Sequence, residues 1–170
     1  MSIDIKSLFD QYWENKLSKS ALYKAIDIEV DNWENFIHAG LQISLDEKSD
    51  ELLDDYLTLI FLYEVPFKSC IQLLNKILVS DWHRQHENVA MLLEKACDVS
   101  STEYLYATAI AQFEYLEYDE NYALAVKCIW ALGKILRSGG FQAKEKLELL
   151  AQSTNEIIRK NSVEQLQLSG

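Results

Sequence analysis

Residues 82–136, WHRQHENVAMLLEKACDVSSTEYLYATAIAQFEYLEYDENYALAVKCIWALGKIL, read as three consecutive apolar-rich helices joined by turns too short for anything but antiparallel neighbours. The last of them, from about Asn121 to Leu136, carries Tyr122, Val126, Ile129, Gly133 and Leu136 at helical spacing, with Ala125, Leu132 and Trp130 in a second apolar row beside it. Its polar residues Glu120, Lys127 and Lys134 stand seven apart. An apolar arc this wide has to be covered on more than one side, which is the demand of an inner helix in a stacked array and not of a surface helix on a single core.

Outward from that stretch the chain is of one kind. Its 170 residues, 49% of them apolar, suffice for one domain with a sizeable core, residues 1–170. With five glycines, one proline and an abundance of helix formers, no segment argues for a strand, and the fold expected is all-α. A first helix is expected over residues 2–17 and a second helical region from Ser20 to about Ile43, bent or divided near Asp27–Asp31 and capped by Gly40. Either Ser44 or Ser49 starts the next helix. Pro66 suits the first position of a new helix running to about Val79, which places a break at Glu64–Val65. Ser100-Ser-Thr-Glu103 and Ser153-Thr-Asn-Glu156 have capping-box spacing, and Ser138-Gly139-Gly140 makes a turn, giving about nine helices in all.

Sixteen Lys and Arg against 27 Asp and Glu leave a formal net charge of −11, which repels phosphate backbones and anionic lipid and favours a basic partner. No nucleic-acid or membrane partner is therefore expected, and the longest apolar stretch, around Tyr56–Tyr63, is far short of a membrane span. The N-terminus lacks the basic start and apolar run of a signal peptide. Cys70, Cys97 and Cys128 fall in apolar helical rows without C-x-x-C spacing and read as unpaired thiols. Together these point to the cytoplasm.

An internal comparison bears on architecture. Asn121-x-x-Leu124 leading to Leu132 has the spacing of Asn155-x-x-Ile158 leading to Leu166, an offset of 155 − 121 = 34 residues. Arg159 follows Ile158 in the second copy, where the first has Ala125. The order of polar cap, aliphatic residue, basic residue and a small or aliphatic row ending in leucine resembles the second helix of HEAT-like repeats. More widely, DWHRQHENVAMLLEKACD (81–98), FEYLEYDENYALAVKCIWALGKI (113–135) and STNEIIRKNSVEQL (153–166) together resemble the HEAT-like immunity proteins of bacterial polymorphic and contact-dependent growth inhibition toxin systems. The resemblance covers residues 81–168. It implies stacked antiparallel helix pairs in a HEAT-like α-solenoid, and a protein that binds the C-terminal domain of a cognate toxin and neutralises it stoichiometrically, without catalysis or cofactor.

Three sets of residues carry candidate chemistry. His83-x-x-His86-Glu87 has metal-ligand types at helical spacing, yet a site needs a further ligand and a second shell that the sequence does not supply. The alternative is a helix start whose histidines and Trp82 pack against or bond to the turn of the next repeat, and no metal is expected. No Ser or Cys sits in a glycine-rich elbow, no glycine loop cradles phosphate, and acid pairs such as Glu114 with Glu117 read as a solvated face, so no enzyme is expected.

The stretch Glu114, Tyr115, Glu117, Tyr118, Asp119, Glu120 and Tyr122 sets four carboxylates and three tyrosines across one inter-helix turn. Tyrosine supplies contact area at low entropic cost, and carboxylates pair with the Arg and Lys of a basic partner. These seven are the candidate partner-binding residues, against the alternative that Phe113, Tyr115 and Tyr122 are core. A nuclease toxin, inferred from charge alone, would present a basic cleft for them to occlude. A second acidic surface lies near Asp50, Asp54 and Asp55. The competing reading is a general HEAT-like adaptor or scaffold; a toxin gene next door favours immunity, an unrelated operon the adaptor.

Overall fold

The structure, a computed structural model, describes residues 4–170, and ten α-helices with no strand form among the described residues, one more helix than the nine expected. They fall into two compact units divided at Cys70/Ile71.

The first unit holds α1 (Ile5–Trp13), α2 (Lys19–Ile26), α3 (Trp33–Glu47) and α4 (Asp50–Tyr63). Residues 2 and 3 of the first expected helix lie outside the described residues. Asp4 caps α1 by accepting from the Ser7 N–H, and Ile5 and Phe9 turn inward. The second helical region is divided, not bent: Asp27 takes a left-handed conformation (φ 48°) and ends α2, and a 3-10 turn leads into α3. Gly40 lies inside α3 and not at its end, because a Cβ there would overlap the Tyr56 ring of α4, so glycine is what allows these two helices to meet. Ser49, not Ser44, caps α4 by accepting from Leu52 N–H; Ser44 is buried within α3 and donates to the Gly40 carbonyl. Glu64 ends α4 in a left-handed conformation (φ 51°), and after Pro66 the chain makes a 3-10 turn at Lys68–Cys70 before the next helix.

The second unit holds α5 (Ile71–Leu78), α6 (His86–Ala96), α7 (Thr102–Ile110), α8 (Ala123–Arg137), α9 (Gln142–Leu150) and α10 (Glu156–Gln167). Helix α8 packs against α6, α7, α9 and α10. Its buried face is Leu124, Ala125, Cys128, Ile129, Ala131, Leu132, Gly133 and Ile135. That arc is rotated from the row expected, since Tyr122 and Trp130 are exposed and Val126 and Leu136 half-buried. Fully burying each of the large aliphatic residues is worth about 1.5–3 kcal/mol, so α8 organises this unit.

Two of the expected caps are replaced. At α7 the capping box does not form: Asp98 accepts from the Ser100 N–H, and Glu103 instead pairs with Lys146 at 3.0 Å. At α10 the cap is Asn155, which accepts from the N–H groups of Ile157 and Ile158. Cys97 takes the left-handed position that ends α6 (φ 54°) and so stands outside the helical row, whereas Cys70 and Cys128 are buried. Burial pushes the Cys70 thiol up to about 11 and the Cys128 thiol up as well, which holds both protonated. Among the described residues no helix is long and apolar enough to cross a membrane.

Candidate protein-binding site

Residues 111–122 join α7 to α8 without α-helix. Ala111 (φ −71°, ψ 153°) and Phe113 (φ −97°, ψ 135°) are extended, Glu114–Leu116 make a 3-10 turn, and Tyr122 is left-handed (φ 52°). The carboxylate of Asp119 closes the loop, because Oδ1 accepts from the Asn121 N–H at 3.0 Å and Oδ2 from the Ala123 N–H at 2.8 Å. Asp119 thus does for α8 what Asn155 does for α10, satisfying amides that a helix start leaves open. Asn121, which spacing aligns with Asn155, does not cap.

The loop folds beside a groove of about 760 Å³. Its apolar surface comes from Ile110, Phe113, Leu116, Leu124, Ala125 and Ile158, so α7, α8 and α10 all contribute. Glu114, Glu117, Asp119 and Tyr122 line it as well. Of the seven candidate residues, therefore, four border the groove. Tyr118 does not; it stands on the loop 89% exposed, with Glu120 exposed nearby. Glu114 and Glu117 are exposed, take part in no ion pair among the described residues, and have no Lys, Arg or His among the groove-lining residues. The floor was not foreseen as part of the site: Ile158 comes from a helix more than thirty residues on, and no local pattern links it to this loop.

Tyr115 has a different task. Its hydroxyl donates to Nδ1 of His86 at 2.8 Å, and its ring stacks on the imidazole at 5.5 Å. Nε2 of His86 donates to the Ser80 carbonyl (2.8 Å), Nε2 of His83 donates to the Ile77 carbonyl (2.8 Å), and Nδ1 of His83 accepts from the Gln85 N–H. The two imidazoles stack at 4.1 Å, and Phe113 lies 3.9 Å from that of His86. The histidines accordingly satisfy carbonyls around the end of α5 more than they serve the start of α6, and through Tyr115 and Phe113 they anchor the loop. Glu87 pairs with Lys127 of α8 at 2.7 Å. Among the described residues no group of three or more His, Cys, Asp or Glu is arranged to hold a metal ion.

The second acidic surface is only partly a surface. Asp50 and Asp54 are half-buried and Asp55 is 7% exposed, so Asp55 belongs to the interior of the first unit. No protein-family model, curated protein or solved structure matches this chain.

Proposed function

We propose that the chain is a stoichiometric protein inhibitor, an immunity protein that binds the basic C-terminal domain of a bacterial toxin and occludes its working cleft, as the resemblance of residues 81–168 implies. The observation that carries this reading is the α7–α8 loop. It presents Glu117, Tyr118 and Glu120 outward without basic neighbours in the lining and is held by His86, Tyr115 and Asp119. An anchored acidic and aromatic loop loses little entropy when it docks, and its exposed tyrosine is the kind of residue that concentrates binding energy. If the toxin is a nuclease, such a loop lies along the track its phosphates would take. Neutralisation needs no chemistry from this chain.

The packing of the second unit supports the finer architecture, stacked helix pairs of HEAT-like kind. Its principal contacts link each helix to the next or to the next but one: α5 with α6 and α7, α6 with α8, α7 with α8 and α9, α8 with α9 and α10, α9 with α10. That is the contact order of a two-layered helical array in which each repeat touches its neighbours.

The experiment is to purify the chain with the toxin domain encoded beside it and to measure affinity and residual toxin activity. The variant Tyr118→Ser with Glu120→Lys should weaken the complex by on the order of 2–4 kcal/mol, since a like charge set across an interface is costly, while leaving the free protein helical. Asp119 is unsuitable for the purpose because its loss would damage the start of α8. Unchanged affinity in the double variant would move the interface off this loop. Failure to bind any neighbouring toxin domain would favour the adaptor reading.

A further inference from the structure

We propose that the groove beside the α7–α8 loop receives an extended segment of a protein partner in which lysine or arginine alternates with small apolar residues. The inference rests on the reading of the chain as a binder of a basic protein, and it names the part of that protein which engages the groove and the way it does so.

The groove has the volume of a ligand site, about 760 Å³, and two kinds of lining residue. Apolar residues, Phe113, Leu124 and Ile158 among them, line it together with Glu114, Glu117 and Asp119, and no cation stands among the lining residues to neutralise these carboxylates. A lysine or arginine fits both, because its methylene stem lies along apolar surface while its charged head reaches carboxylates at the rim. An anion fits neither. The helix-start amides that attract anions are already taken, at α8 by Asp119 and at α10 by Asn155.

The third feature concerns the backbone. Ala111 and Phe113 are extended at the edge of the groove. The Ala111 N–H donates to the Thr108 carbonyl, and the Phe113 carbonyl accepts from the Leu116 N–H. Between them Gln112 is exposed, and among the described residues its N–H and carbonyl enter no hydrogen bond. A short extended run with an unused donor and acceptor is the element to which another extended strand adds by main-chain pairing. In such a strand alternate side chains point the same way, so basic residues at every second position face the rim together.

The probe is a short peptide alternating lysine and valine, compared with the same peptide carrying glutamate for lysine and with spermine, each titrated calorimetrically at low salt into the full chain. The lysine peptide should bind, the glutamate peptide should not, and salt should weaken binding. Ala111→Trp, which fills the groove from an exposed position, and the pair Glu114→Gln with Glu117→Gln should each weaken the peptide by roughly tenfold or more. Phe141→Ser, at an exposed residue that does not line the groove, should leave it unchanged. Equal binding of both peptides, or unchanged binding in a folded Ala111→Trp variant and in the Gln pair, overturns the proposal. Spermine binding as tightly, with the same sensitivity to Ala111→Trp, also overturns it, since a cation and not a segment would then be the ligand. The two readings fail separately. If Ala111→Trp keeps the toxin domain while Tyr118→Ser with Glu120→Lys loses it, the groove falls and the inhibitor stands; if the peptide binds and no toxin domain does, the reverse holds.

Discussion

Asp55 stands on the inward face of α4 with Asp54 next to it and Asp10 of α1 and Glu51 in its field, opposed only in part by Lys6. Burial first, and those three carboxylates after it, push its acid dissociation from 3.8 up to about 7. The folded state then binds a proton that the unfolded chain has released, so stability falls as pH rises from about 4 through about 7 and levels off above. Asp55→Asn should therefore stabilise the protein by about 1–3 kcal/mol near pH 8 and lose that advantage near pH 4. Urea unfolding at the two pH values measures it, and an equal effect at both would show that packing, not charge, governs the site. Sequence made Asp55 one of three surface acids. What it could not supply was the partner geometry: Lys6 pairs with Glu51, leaving Asp55 turned toward the interior. Tyr115 is the same lesson at the candidate site, an aromatic in an acidic run whose hydroxyl is already taken by His86. Glu114, Glu117 and Tyr122, by contrast, border the groove.

Among the elements, helix existence was legible because apolar periodicity is written locally, and so was the break at Glu64, while Ser49 was one of two serines the sequence left open as the start of α4. Helix ends and faces were less so. The chain is poor in glycine, and Asp27, Lys48, Glu64 and Cys97 end their helices in left-handed conformations that side chains disfavour. No residue type announces such an end. The cost it implies can be recovered: Lys48 is exposed, at φ 51°, with no ion pair among the described residues, so Lys48→Gly should stabilise the first unit by about 0.5–1 kcal/mol. A denaturant midpoint that falls instead would mean that the added freedom of the unfolded chain outweighs the relieved strain. Two other departures have tertiary causes. Gly40 sits mid-helix because the Tyr56 ring occupies the space of a side chain, and Asp98 displaces the capping box at Ser100 by reaching the same amide one turn early.

Across the whole molecule the dominant quantity is charge. A net −11 sets up a field that reaches a basic partner well before contact, on the scale of a Debye length of about 10 Å at 0.1 M salt. The contacts that hold a finished complex would be of another kind, a tyrosine with water excluded from it and a chain segment seated on Phe113 and Ile158, and salt screens these much less. Association and dissociation should therefore respond differently to ionic strength. Between about 0.05 and 0.5 M salt the association rate with a basic partner domain should fall by roughly 10- to 100-fold, and the dissociation rate should rise by no more than about threefold. Stopped-flow mixing and surface-immobilised dissociation measure the two separately. A fall in affinity carried mainly by faster dissociation would instead mean that carboxylate pairs within the finished interface, and not long-range steering, carry most of the salt dependence.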